Sequence, residues 1–215
     1  MTKQGQTMTR HRNKGYFLVL EGIDRCGKST QAKLLANYLR KKGLSVLHTR
    51  EPGGTTLGES MRDLILRSPG FVSNRAELLL YEASRAQHVE EKILPALKKG
   101  KVVLCERFTM ASLAYQGFGR GLPMSQIDKL NEFASFGLEP DLTVVLDISV
   151  SEFKRRAGKF LDRMEKKVNF LKAVRDGYGN LSHAKRVIVI NAETDEQALH
   201  RRIVDKLKNH GIFGN

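Results

Sequence analysis

Apolar residues along this chain fall into two rhythms. Five short runs, Tyr16–Glu21, Ser45–Thr49, Lys101–Glu106, Leu142–Ile148 and Arg186–Ile190, are dense in Val, Leu and Ile and do not alternate with polar residues. Such runs predict strands covered on both faces, the habit of parallel sheets. Between them apolar positions recur every three to four residues, the period of an amphipathic helix. Thr30–Lys42 puts Leu35, Tyr38 and Leu39 on one face and ends in Arg40-Lys41-Lys42-Gly43, cations in the last turn and then a glycine. Asn74–Leu97 opens with Asn74 as cap and Glu77 three residues on, and stripes Ala86, Val89, Ile93 and Leu97. Ser125–Phe136 and Glu165–Leu181 read as further helices, and Thr194–Asn209 opens Thr-x-x-Gln before Leu199, Ile203 and Leu207. The alternation predicts an α/β fold, a parallel sheet with helices on both faces. Gly117-Phe118-Gly119-Arg120-Gly121 reads as a flexible loop. With no repeat and no linker, residues 15–215 are expected to form one domain behind a polar, basic, disordered tail at 1–14.

Composition narrows the class. The 215 residues are 40% hydrophobic and 28% charged, an ordinary globular balance. No apolar run approaches the ~20 residues needed to span a bilayer, so no membrane partner is expected. The two cysteines, Cys26 and Cys105, show neither disulfide framework nor metal spacing, and the six histidines form no ligand motif. A reduced, cytoplasmic setting is the expectation. The net charge of +14 is the unusual number, and Lys3, Arg10, Arg12 and Lys14 of the tail supply only part of it. Such a surplus favours anionic partners, whether nucleic acid, membrane or phosphorylated small molecules.

One motif chooses among these. Gly22-Ile23-Asp24-Arg25-Cys26-Gly27-Lys28-Ser29 is a G-x-x-x-x-G-K-S phosphate loop. It lies between a predicted strand and a helix that Thr30 opens, the context the motif requires. Gly22 and Gly27 let the backbone curl so that successive N–H groups converge on one anion, and the helix terminus adds positive potential. Lys28 then reaches the β- and γ-phosphates of a nucleoside triphosphate, and the Ser29 hydroxyl meets Mg²⁺. Two strands end in acids able to stand near that metal, at Glu106 and Asp147. Glu106 is followed by Arg107, which suits transfer to a bound acceptor better than hydrolysis; Asp147 reads rather as a capping or structural acid. Lys154-Arg155-Arg156 to Arg163 reads either as a solvated basic face or as a mobile lid, residues 154–164, over the transferring phosphoryl. Tyr81 and Arg85 share a helix face, as a base-reading pair or as a core tyrosine beside a surface arginine.

Taken together these residues resemble the thymidylate kinase family. The resemblance rests on Glu21-Gly22-Ile23-Asp24 with Gly27-Lys28-Ser29-Thr30-Gln31, on Arg50-Glu51-Pro52-Gly53-Gly54-Thr55 with Gly58-Glu59 and Arg62, and on Glu77-Leu78-Leu79-Leu80-Tyr81 with Ser84-Arg85-Ala86-Gln87-His88. Ala114-Tyr115-Gln116-Gly117 and Leu161-Asp162-Arg163 complete it in family order. It implies a P-loop NTPase kinase fold, commonly a homodimer, moving the γ-phosphoryl of ATP to dTMP with Mg²⁺. It also implies roles. Gly22 to Thr30 cradle ATP; Ser29, Asp24 and Glu106 surround the metal; Arg25, Lys28, Asp24, Arg107 and Arg156 are the catalytic candidates. Asp24, Pro52, Tyr81, Arg85, Arg107, Ser112, Tyr115 and Gln116 are the candidates for binding dTMP, with Tyr81 where a stacking phenylalanine usually stands. The chain departs from the family at Glu106, usually Asp, at Ala111, usually Ser, and at Gly158, where lid-type members carry an arginine.

Three rivals stand beside this reading: a kinase for another nucleoside monophosphate, a basic nucleic-acid-binding ATPase, and a binding-only homologue. The chain shows no nucleic-acid fold motif and no Asp-Glu strand end, so no nucleic-acid partner is expected.

Overall fold

The computed structural model describes residues 15–158 and 165–210. Its elements run β1 (Tyr16–Glu21), α1 (Lys28–Lys41), β2 (Val46–Arg50), α2 (Thr56–Arg67), α3 (Asn74–His88), α4 (Leu94–Lys98), β3 (Val102–Glu106), α5 (Thr109–Ser112), α6 (Met124–Ser135), β4 (Leu142–Asp147), α7 (Val150–Ala157), α8 (Glu165–Leu181), β5 (Val187–Asn191) and α9 (Glu196–Asn209). The strands form one parallel sheet ordered β2-β3-β1-β4-β5, each within a residue of its sequence-predicted bounds.

Burial explains the uninterrupted apolar runs. Leu18, Leu20, Leu104 and Val144 face α1, α8 and α9, while Phe17, Val19, Val103 and Cys105 face Val89 and Ile93 on the other side. Both faces of the central strands β1, β3 and β4 are covered, which is why their apolar runs do not alternate with polar residues. Phe17 and Phe108 meet edge to face at 4.9 Å in the second layer.

Register places the site. Leu20 of β1 lies opposite Glu106 of β3, and Glu106 lies opposite Arg50 of β2. Three carboxyl strand ends therefore open onto one crevice, the edge where α/β sheets take ligands.

Helix starts were legible to within a turn. The cap of α3 is Ser73, whose hydroxyl accepts from Ala76 N, so Asn74 is the first helical residue rather than the cap. Asp195, not Thr194, caps α9 through Ala198 N. The expected helix 74–97 is broken: Val89–Ile93 is π-wound just before Pro95, whose missing N–H cannot bond four residues back.

Two features differ from the sequence expectation. α2 replaces what read only as motif, with Thr55 capping Gly58 N at 2.9 Å. Residues Leu113–Gly119 are π-helical rather than a flexible loop. A Cβ on Gly119 would fall 2.5 Å from the Phe170 ring and one on Gly177 2.7 Å from the Phe118 ring, so these glycines serve close packing against α8. The residues expected to open the lid, Lys154, Arg155 and Arg156, lie on helix α7, which Ser149 caps through Glu152 N. Residues 159–164 with Arg163, like the tail 1–14, lie outside the described residues.

Candidate active site

The loop after β1 has the curl its glycines require. Gly22 has φ 130° and Gly27 φ 100°, and a Cβ at Gly22 would fall 2.4 Å from the Leu146 carbonyl oxygen. Lys28 is buried inside the curl and donates to the carbonyls of Gly22 (3.0 Å) and Ile23 (2.8 Å). Burial lowers its pKa, and the neighbouring Arg107 adds to the effect. Thr30 and Ser29 follow in the first turn of α1, lining the same cleft.

Ser29 Oγ donates to Glu106 Oε2 at 2.5 Å, and the other Glu106 oxygen meets His48 Nε2 at 2.9 Å. Burial opposes the charged form of Glu106, yet the His48 and Ser29 hydrogen bonds outweigh it and hold the carboxyl below its usual range. Asp24 lines this cleft too, 54% exposed, in an ion pair with Arg107 at 2.8 Å. The three oxygen-bearing residues expected around a metal are therefore together, and hydroxyl plus ionised carboxylate is a donor set that fits Mg²⁺. Asp147 stays apart, held by Arg175 through two bonds of 2.7 and 2.8 Å, a structural acid.

Arg107 stands where the phosphate cleft meets a second cavity. Its backbone is left-handed, φ 68°. Its guanidinium donates to Asp24, to the Gly22 carbonyl (3.1 Å) and to the hydroxyls of Tyr115 (2.9 Å) and Tyr178 (3.3 Å), and it lies 4.6 Å above the Tyr115 ring. All eight residues expected to bind the acceptor, Asp24, Pro52, Tyr81, Arg85, Arg107, Ser112, Tyr115 and Gln116, line this cavity, with Ala111 on its wall.

Arg85 is neither a surface arginine nor a free one. At 2% exposure it donates to Glu51 (2.8 Å), Glu82 (2.6 Å), Ser112 (3.1 Å), Asn131 (2.6 Å) and the Phe108 carbonyl (3.0 Å). Two carboxylates around one guanidinium keep it charged in spite of burial. Gln116 is held by Glu77 at 2.9 Å, and the Pro52 carbonyl accepts from Arg62 at 3.0 Å. Tyr81, half-buried, presents its ring to the cavity; burial pushes its hydroxyl pKa up. Glu51, Glu82, Asn131, His48, Arg62 and Tyr178 are the site residues that residue-by-residue reading passed over. Glu51 and Arg62 stood inside quoted motifs, whereas Asn131 and Tyr178 carry no local signal. Glu51, His88 and Cys105 also bring ligand atoms within 4.8 Å of one another, but the Glu51 oxygens already serve Arg85 and His88, and the Arg85 cation opposes a second one.

Arg156 reaches the phosphate loop from α7 without any closure. It donates to the carbonyls of Arg25 (3.0 Å) and Ala192 (2.7 Å), while Arg25 donates back to the Arg156 carbonyl. Cys26, in the loop beside Lys28, is fully buried rather than accessible.

A phosphate loop on β1, an acid-arginine pair ending the neighbouring strand and an apolar cavity beside them define a P-loop phosphotransferase. The family model for thymidylate kinase matches residues 20–203. The thymidylate kinase of Thermoanaerobacter sp. (strain X514) is 45% identical over 201 residues, covering 92% of this chain and 99% of the relative. That of Nostoc punctiforme is 43% identical over 204 residues, covering 91% and 97%. The crystal structure of thymidylate kinase from Ehrlichia chaffeensis superposes with a TM-score of 0.77 at 33% identity, covering 90% of this chain and 99% of that one. The chain belongs to the thymidylate kinase family, whose activity is the ATP-dependent phosphorylation of dTMP to dTDP on the way to dTTP.

Proposed function

We propose that the two adjoining clefts hold ATP and dTMP so that the γ-phosphoryl passes between them beside Arg107. The observation that carries this is Arg107 itself, a guanidinium shared between the phosphate-loop carbonyl Gly22 and the acceptor-cavity residue Tyr115. A phosphate oxygen of dTMP attacks the γ-phosphorus, the bond to the ADP oxygen breaks, and ADP leaves. Positioning and charge stabilisation suffice, so no covalent enzyme intermediate is needed. Lys28 exchanges its carbonyl partners for ATP phosphate oxygens, Arg107 holds the acceptor phosphate, and Asp24 fixes Arg107. Arg25 lies against the transferring group, and Arg156 steadies the loop around it. Ser29, Glu106 and Asp24 would hold Mg²⁺, which supplies charge neutralisation at the ATP phosphates.

Tyr81 stacks on the base, and Ser112, Gln116 and Pro52 shape the pocket around it. Arg85 carries only donors, which suits the thymine O4 and not the exocyclic amine of cytosine. A coupled ADP-release assay with dTMP, dUMP, dCMP, dGMP and AMP tests this reading. dTMP is expected to win clearly over dCMP, because a mismatched polar group in a closed pocket typically costs ~1–3 kcal/mol. Equal rates with dCMP overturn it.

The same reading extends to assembly and place. Leu57 and Leu64 of α2, Leu79 of α3 and Phe133 of α6 are exposed, Phe133 by 82%, on helices that pack side by side. That apolar surface fits a second copy of the chain. Light scattering is expected to give the mass of two chains, falling to one for Phe133→Lys; a monomeric wild type overturns the dimer. No described helix is long and apolar enough to cross a membrane. A reaction of ATP and dTMP with two free thiols belongs in the cytoplasm.

A further inference from the structure

Glu21 is fully buried at the end of β1, one residue before the phosphate loop. Its two oxygens are divided between distant parts of the chain. Oε1 accepts from the backbone N–H of Phe108 at 2.8 Å, and Oε2 accepts from the Tyr178 hydroxyl at 2.7 Å. The Tyr178 oxygen in turn accepts from Arg107 Nη1 at 3.3 Å. Arg107 is thus clamped twice. Its own N–H bonds to the Leu20 carbonyl at 2.9 Å and the next N–H bonds to Glu21, which together hold a left-handed backbone that an L-residue keeps only under constraint. Its guanidinium meets an oxygen whose lone pairs are aimed by Glu21, because the hydroxyl proton is committed to that carboxylate.

We propose that Glu21 and Tyr178 are positioning residues that aim the Arg107 guanidinium at the acceptor's phosphate group. Neither touches the reacting atoms; both act through Arg107. The inference rests on the reading of Arg107 as the acceptor-phosphate ligand. Burial keeps the Tyr178 hydroxyl protonated, as the donor role requires. Tyr178 lies on α8, 71 residues from Arg107, so the aim of the phosphate ligand depends on how α8 docks against the end of β1.

The test separates aim from general damage by using two ligands that differ only in the phosphate. Binding of dTMP and of thymidine is measured by calorimetry on the full chain, for wild type, Tyr178→Phe and Glu21→Gln. Tyr178→Phe keeps the ring that packs 6.4 Å from Tyr115 and loses only the hydroxyl. Its dTMP affinity is expected to fall roughly ten- to a hundredfold, the usual worth of a hydrogen bond to a charged group, with thymidine affinity unchanged. In kinetics, KM for dTMP rises while KM for ATP stays within about twofold. Glu21→Gln, whose amide still accepts one bond, is expected to fall between wild type and Tyr178→Phe. A parallel loss for both ligands, or an unchanged ratio in both variants, overturns the proposal. Wild-type enzyme that binds dTMP no better than thymidine overturns the reading of Arg107 instead.

Discussion

The Arg25 guanidinium donates to the Arg156 carbonyl at 3.2 Å, and the Arg156 guanidinium donates to the Arg25 carbonyl at 3.0 Å. The two arginines therefore form one structure across the rim of the phosphate loop. Arg156 has further partners in Glu152 and the Ala192 carbonyl, whereas Arg25 is exposed toward the cleft. A guanidinium on a transferring phosphoryl acts in the transition state and is worth ~10³–10⁵ in rate. Arg25→Ala is expected to lower kcat by about 10³ with KM for ATP nearly unchanged. Arg156→Ala is expected to cost less in kcat and to raise KM for ATP, since it loosens the loop. The double variant is expected to cost less than the product of the singles. Steady-state kinetics on all three decides; multiplicative losses, or Arg25→Ala near wild type, count against the shared role.

Tyr81 lines the acceptor cavity, and among the described residues its hydroxyl makes no hydrogen bond. Tyr81→Phe is expected to keep kcat/KM for dTMP within a few-fold, while Tyr81→Ala loses at least about tenfold as the stacking surface goes. Equal losses in both variants would show that the hydroxyl, not the ring, matters.

Both cysteines are sealed. Cys26 is fully buried against the phosphate loop, and burial raises the Cys105 thiol well above its usual range. The native protein is expected to react slowly with a disulfide reagent at either thiol, and to release two equivalents on unfolding in urea. Rapid labelling of Cys26 in native protein would contradict its placement.

Glu152 accepts from Arg155 at 2.7 Å and from Arg156 at 2.6 Å, and these bonds pull its pKa from 4.5 to about 2. A carboxylate whose folded pKa is depressed adds stability above its unfolded pKa and loses it as pH falls through the folded one. Glu152→Gln is expected to melt below wild type at pH 7, with the gap narrowing between pH 4.5 and pH 2. Thermal melts across that window check it. A gap that widens toward acid pH would reverse the sign.

The local part of this protein was written in its sequence. The apolar run 102–105 reads as a buried strand, since burial on both faces disfavours polar positions along it. Gly22, Gly27, Lys28 and Ser29 announced a phosphate loop because a curl of N–H groups needs glycine at those places and little else. Tertiary structure alone decided the partners. That Arg85 would be buried against Glu51, that Asn131 would join it from α6, and that Tyr178 would stand behind Arg107 depend on contacts across 34 to 71 residues of chain. Likewise Gly117 and Gly119 looked like loop residues until α6 packed against the first and α8 against the second. Hydrogen bonds within a turn are set by neighbours a few positions away, and composition reveals them. The aim of a buried guanidinium is set by which helices dock together, and that is fixed only when the sheet and its two apolar faces have closed.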